Sequence, residues 1–235
     1  MKSELPIVSL AGDEFYLESK GLRYAAAPQR EIPFDQMARS WLKAMDSLVR
    51  RFMYDTVGKS IADISSYTTR VPETVKYLEI PEIFILGLAE EELAGILKSP
   101  VRDDWALYVQ DHCLTARELP RVKLMGTEFI LDTLNGELME MLNMKNRISF
   151  ESINVFEHNK EMFFDYNVQT NNIAQPGDDP DAVTIAFLKP MHESDPKAWD
   201  LIVKPEDRVS AAPQHHEVKP ASSKQVKPKK GKGLW

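Results

Sequence analysis

The chain predicts an α+β fold: two tandem copies of a small module, each mostly antiparallel sheet with helices on one face, followed by a disordered C-terminal tail. Three observations predict it. Residues 5–37 are written again at 119–153. Short β-rich runs are punctuated by glycine at corresponding places in both copies. Finally, the last 27 residues change composition abruptly.

The duplication is clearest at its start. Leu5-Pro6-Ile7-Val8-Ser9-Leu10-Ala11-Gly12-Asp13-Glu14-Phe15-Tyr16-Leu17 aligns with Leu119-Pro120-Arg121-Val122-Lys123-Leu124-Met125-Gly126-Thr127-Glu128-Phe129-Ile130-Leu131, with eight of the thirteen positions identical. After a two-residue insertion the match resumes with Leu22 on Leu138, Ile32 on Ile148 and Phe34 on Phe150. Downstream, Phe52-Met53-Tyr54-Asp55 aligns with Met162-Phe163-Phe164-Asp165. Ile61-Ala62 aligns with Ile173-Ala174, and Pro72–Tyr77 with Pro180–Ile185. The preserved order implies two related domains. The boundaries are 1–98 for the first module, 99–118 for the connection, 119–208 for the second module and 209–235 for the tail.

Within each module the elements follow from local chemistry. Pro6–Leu10 and Glu14–Glu18 form strands separated by Ala11-Gly12-Asp13, where Gly12, like Gly126, supplies a positive φ. Turns at Lys20-Gly21 and Asn135-Gly136 lead to third strands at Leu22–Ala26 and Glu137–Leu142, giving a three-stranded meander. Phe34–Arg50 carries Met37, Trp41, Leu42, Met45 and Leu48-Val49 at spacings of three and four, which predicts an amphipathic helix. Glu151–Lys160 leaves room for a shorter one. Aromatic strands follow at Arg51–Asp55 and Glu161–Tyr166. Val183–Leu188 is the last strand, and helices at Leu88–Lys98 and about Pro196–Val203 close the copies. In the connection, Trp105, Leu107 and Val109 are expected to pack against a module.

The apolar fraction of 43% and charged fraction of 28% are those of a globular protein. No apolar run is long enough to cross a bilayer, and the start has no signal-peptide character, so no membrane partner and a cytoplasmic location are expected. The lone Cys113 cannot form an internal disulfide. From Val209 onward there are six lysines and one acid, a net of +5 against −7 overall, which leaves −12 on residues 1–208. That tail is too poor in large apolar residues to order itself.

The duplication also filters candidate chemistry, because a site belonging to the module should recur. The shared acids are Glu14/Glu128, Asp55/Asp165 and Glu73/Asp181, each at a turn where a solvated or backbone-bonded carboxylate is the ordinary state. A general acid/base pair of Glu14 with Asp55 lacks a shared His, Lys or Arg. His112 and Cys113 are adjacent, so their side chains diverge, and a buried thiol is the better reading than a nucleophile. The acidic loop Pro176–Asp181 lacks EF-hand spacing, and its counterpart Ser65–Arg70 has no acid. His215-His216-Glu217 does not make a defined metal site. No catalytic residue, metal ligand or cofactor site is therefore assigned.

The repeated pattern Leu-Pro-x-Val-x-Leu-x-Gly-x-x-Phe-x-Leu, with Ile32-Pro33-Phe34 or Ile148-Ser149-Phe150 beyond it, resembles a segment of poorly characterised proteins of Bacteroidota and their mobile elements. The resemblance implies a bacterial source and covers most of both modules. It rests on turn and core residues and implies no activity.

The functional expectation is a non-enzymatic binding or scaffold protein whose basic tail engages a protein partner. The candidate contacts are Lys227, Lys229, Lys230, Lys232 and the terminal Trp235. Two alternatives stand beside it. One is a nucleic-acid-associated protein of a mobile element that uses the tail lysines on phosphates. The other is an enzyme with its site in the cleft between modules.

Overall fold

The computed structural model describes residues 5–82, 108–109, 111–112, 114–156 and 159–202. It opens with a four-stranded antiparallel meander, β1 (Ile7–Leu10), β2 (Asp13–Glu18), β3 (Gly21–Tyr24) and β4 (Glu31–Pro33). The β1–β2 turn places Ala11 and Gly12 at φ 50° and 91°, the twist that a two-residue hairpin requires. A 3-10 turn at Phe34–Gln36 leads to a second antiparallel sheet. Its strands are β5 (Ala38–Leu42), β6 (Ser47–Asp55), β7 (Ser60–Ile61) and β8 (Val75–Pro81). β9 (Arg117–Glu118) joins its edge against β8.

The second copy repeats this order. Its meander is β10 (Arg121–Leu124), β11 (Thr127–Asp132), β12 (Glu137–Glu140) and β13 (Arg147–Ser149). Its second sheet holds β14 (Asn154–Val155), β15 (Met162–Asn167), β16 (Asn172–Ile173) and β17 (Val183–Leu188). The registers agree as well: Ile7 faces Tyr16 as Arg121 faces Ile130, and Leu17 faces Leu22 as Leu131 faces Leu138. Two short helices, α1 (Met191–Ser194) and α2 (Pro196–Ile202), close the described chain, α2 where a helix was expected.

The α+β expectation is thereby corrected. Each module is an antiparallel sheet packed on a second antiparallel sheet, with the second sheet standing where helices were expected. Phe34–Arg50 is not a helix but the β5–β6 hairpin, whose connection holds Lys43–Met45 in a 3-10 turn and Asp46 at φ 50°. The helical spacing arises because Leu42 and Val49, one on each strand, are buried, while Trp41 is half exposed. In Glu151–Lys160 the described residues likewise form the end of a 3-10 turn and β14 rather than a helix. The meander has four strands rather than three, because Ile32 and Ile148 pair with Leu22 and Leu138. The expected helix Leu88–Lys98, Trp105 and Leu107 lie outside the described residues, and Val109 is fully buried.

Ladder register also corrects one alignment. Tyr54 faces Ile61 as Tyr166 faces Ile173, so Tyr54 corresponds to Tyr166, and Asp55 to Asn167 rather than to Asp165. Equivalent residues then make equivalent cores. Leu10, Phe15, Leu22, Ile32, Phe52 and Tyr54 cluster in the first module; Leu124, Phe129, Leu138, Ile148, Phe164 and Tyr166 cluster in the second. Phe15 meets Tyr54 edge to face at 5.9 Å, and Phe129 meets Tyr166 in the same way at 6.4 Å.

The two modules pack into one compact unit. The outer face of the first module's second sheet lies on the outer face of the second module's meander. Met53, Val75 and Tyr77 from one cluster with Ile130, Met139 and Met141 from the other. The two-residue insertion is what latches this joint. It widens the β11–β12 turn so that Lys43 N–H donates to Asn135 Oδ1 at 2.7 Å, Asn135 Nδ2 donates to the Trp41 carbonyl at 3.2 Å, and Ala44 N–H donates to the Leu134 carbonyl at 3.2 Å.

Candidate functional site

The densest polar cluster sits inside that joint. Arg51 on β6 donates from Nε to Glu79 Oε2 at 2.6 Å and from Nη1 to Asp132 Oδ2 at 2.6 Å. Arg117 on β9 donates to Glu79 Oε1 at 3.1 Å and to Asp195 Oδ2 at 2.5 Å. Thr133 adds a hydrogen bond to Asp195 at 2.9 Å, and the Tyr108 hydroxyl donates to Glu79 Oε1 in a short contact. Two cations and three carboxylates thus meet, all of them buried.

Electrostatics favour the charged forms of Glu79, Arg51 and Arg117. Burial alone would raise the Glu79 carboxyl, but Arg51 and Arg117 outweigh it and hold its pKa below the usual value. Burial likewise opposes the Arg51 charge, and Glu79 and Asp132 more than restore it. Burial, then Glu79, pushes the Tyr108 hydroxyl well up. With every carboxylate committed to a guanidinium and none open to solvent, the cluster ties the modules together.

One cavity lies between residues of both modules. It has a volume of about 290 Å³ and is lined in part by Arg70, Lys123, Glu128, Glu140 and Asn171. Its lining contains neither histidine nor cysteine, and Arg70 is committed to Glu73 at 2.8 Å and Glu128 at 3.3 Å. It is a surface lattice of ion pairs at the small end of ligand-pocket sizes.

The residues singled out from sequence are scattered. Glu14 is exposed and Glu128 faces Arg70 and Arg121. Asp55 accepts from the Val57 N–H at 2.9 Å, an Asx turn, and Asp165 is exposed on the outer face of β15. Glu73 pairs with Arg70, and the Asp181 N–H donates to Asp179 Oδ1. In the acidic loop, Asp178 is held by Asn167 and by the Gln175 N–H, which lower its pKa. His112 is buried, with its ring 4.8 Å from that of Tyr108. Burial first, and then Arg117, lowers its pKa. No group of three or more His, Cys, Asp or Glu side chains is placed to hold a metal among the described residues. Cys113, Lys227, Lys229, Lys230, Lys232 and Trp235 lie outside the described residues.

One surface was missed from sequence. The outer face of β15 and β17 carries Phe163, Ile185 and Phe187, with Asn154 opposite Phe163 on β14. Ile185 is 52% and Phe187 57% exposed, and Phe163 stacks on Phe156 at 4.2 Å. The signal was present: Val183–Leu188 is apolar on both of its alternating faces apart from Thr184, which is the pattern of a strand covered on both sides.

No protein family, curated protein or solved structure matches this chain. Among the described residues, no helix is long and apolar enough to cross a membrane.

Proposed function

We propose that this is a binding or scaffold protein whose second module docks a protein partner on the outer face of β14, β15 and β17. The observation that carries the reading is the row Phe163, Ile185 and Phe187. These are large apolar side chains on a rigid sheet, where isolated surface positions would ordinarily be polar. In the most charged cluster of the described chain every carboxylate is paired with a guanidinium and buried in the joint, which leaves this apolar sheet face as the feature suited to recognition. Aromatic side chains anchored in such a row are the residues that dominate interface energetics. The basic tail, net +5 on a body of −12, supplies a second contact of opposite charge in the same reading.

The test is capture of partners by the full chain, by Phe187→Lys and by a chain lacking residues 209–235. Loss of a specific partner with Phe187→Lys supports the sheet face, and loss on truncation supports the tail. Identical partner sets for all three chains would end the reading. Salt-sensitive binding to DNA or RNA that disappears when Lys227, Lys229, Lys230 and Lys232 become glutamine would transfer it to nucleic acid.

A further inference from the structure

The uncovered sheet face has a covered twin. Register places Phe163 where the first module has Arg51, Asp165 where it has Met53, Ile185 where it has Tyr77 and Phe187 where it has Glu79. In the first module those four positions are buried, because the second module's meander lies on them. The side chains that do the covering, Ile130 and Met139, correspond to Tyr16 and Arg23 on the first meander. That meander face is partly open: Ile7 is 44% exposed, with Tyr16 and Arg23 half-buried beside it.

We infer that the occupant of the Phe163–Ile185–Phe187 face is a second copy of this chain, seated through its own first meander in the way that the second module sits on the first. The inference rests on the docking reading of this face and names its partner. Each chain would thus present one donor face and one acceptor face, a heterologous contact that propagates head to tail rather than closing a two-fold dimer.

Substitutions across the two faces are complementary. Tyr77 and Ile130, members of one apolar cluster within the chain, become Ile185 and Tyr16 between chains, again one aromatic and one aliphatic residue. Met53 and Met139, members of one apolar cluster, become Asp165 and Arg23, which carry opposite charges. The cross-strand ion pair Arg51–Glu79 becomes the cross-strand pair Phe163–Phe187. That change suits a contact that forms and dissolves, since separating chains would otherwise strand buried charges. Glu18, at the position of Asp132, is already paired with Arg23 at 2.5 Å. The two-residue β2–β3 turn lacks the counterpart of the Leu134-Asn135 latch, so the contact between chains is weaker than the joint within one.

Sedimentation equilibrium or light scattering on the full chain tests this. The average mass of the wild-type protein is expected to rise with concentration beyond that of a dimer. Phe187→Lys, which blocks the acceptor face, and Tyr16→Lys, which blocks the donor face, are each expected to remain monomeric. An equimolar mixture of the two variants retains one intact face of each kind and is expected to stop at the dimer. Phe187→Thr, which keeps strand propensity, and thermal melts of every variant separate lost association from lost folding. A wild-type chain that stays monomeric at millimolar concentration overturns the inference. So does association that Tyr16→Lys leaves intact, which would mean face-to-face pairing or another occupant. If the chain is monomeric while Phe187→Lys still loses a captured partner, the docking reading stands and self-assembly alone falls.

Discussion

Arg51 in the first module and Asp132 in the second are joined at 2.6 Å, and neither side chain is more than 2% exposed. This single contact crosses the joint at the centre of the charge cluster, with Asn135 Nδ2 holding the same Asp132 oxygen at 2.9 Å. Replacing Asp132 by alanine leaves Arg51 buried with only Glu79 to balance it and frees the latch residue. A loss of about 3–5 kcal/mol is expected in urea unfolding, since an orphaned buried charge cannot regain its hydration. That is a large share of the roughly 5–15 kcal/mol that holds a typical domain folded. The paired replacement of Arg51 by methionine and Asp132 by leucine should recover much of it. A loss below about 1 kcal/mol for Asp132→Ala would place the ion pair among contacts that merely break even.

Acid should weaken the fold in two steps of the same sign. His112 has a pKa below its ordinary 6.5 because burial, then Arg117, disfavours its charged form. Between the two values the unfolded chain binds the extra proton, so stability is full above 6.5 and falls as pH drops toward the folded value. Glu79, with its folded pKa below the ordinary 4.5, behaves alike: its contribution is present above 4.5 and is lost as pH falls through the lower value. Denaturant midpoints measured from neutrality downward should therefore begin to decline near pH 6.5 and steepen below 4.5. In His112→Phe the first decline should vanish while the second remains. A midpoint independent of pH down to 4 would contradict both assignments.

What could be read from the sequence was what the copies share. The turn glycines, the alternation around Phe15 and Phe129, and the last strand Val183–Leu188 all sit where local chemistry placed them. The β5–β6 hairpin was misread because Met37, Leu42, Met45 and Val49 repeat at helical spacing only through the accident of a short turn. Asp46 in the left-handed region was the counter-signal. Arg51, Glu79, Arg117, Asp132 and Asp195 could not be found by periodicity, since each is an isolated charge whose partners lie far along the chain. The Phe163–Phe187 pair becomes visible only when correct register sets it against Arg51–Glu79.

Gly12 and Gly126 hold corresponding hairpin turns at φ 91° and 100°, and a Cβ built at either would touch nothing within 4 Å. Alanine at either site is therefore resisted by the backbone alone, at about 1–2 kcal/mol for the left-handed conformation. The two variants should be destabilised by similar amounts in the same denaturant series. A difference larger than the cost itself would mean that the two turns are not mechanically equivalent.

Tyr54 and Tyr166 occupy the same core position but bond to different chemistry. The Tyr54 hydroxyl donates at 2.8 Å to Asp13, whose carboxylate also holds Lys59 at 2.6 Å. At the matching place the Tyr166 hydroxyl donates at 3.2 Å to Asn171, which Thr127 also reaches at 3.0 Å. Thr127 stands where the first module has Asp13, and Asn171 where it has Lys59, so an ionic corner has been exchanged for a neutral one. Both rings stay buried in phenylalanine variants, and only the hydroxyl is lost. Tyr54→Phe should cost roughly 1.5–3 kcal/mol, the range for a hydrogen bond to a charged group, and Tyr166→Phe roughly 0.5–1.5 kcal/mol. Raising salt should narrow the gap by screening the half-buried Asp13–Lys59 pair while leaving the neutral corner unchanged. Equal costs at low salt would show that the charge on Asp13 is balanced by Lys59 so fully that the tyrosine bond gains nothing from it.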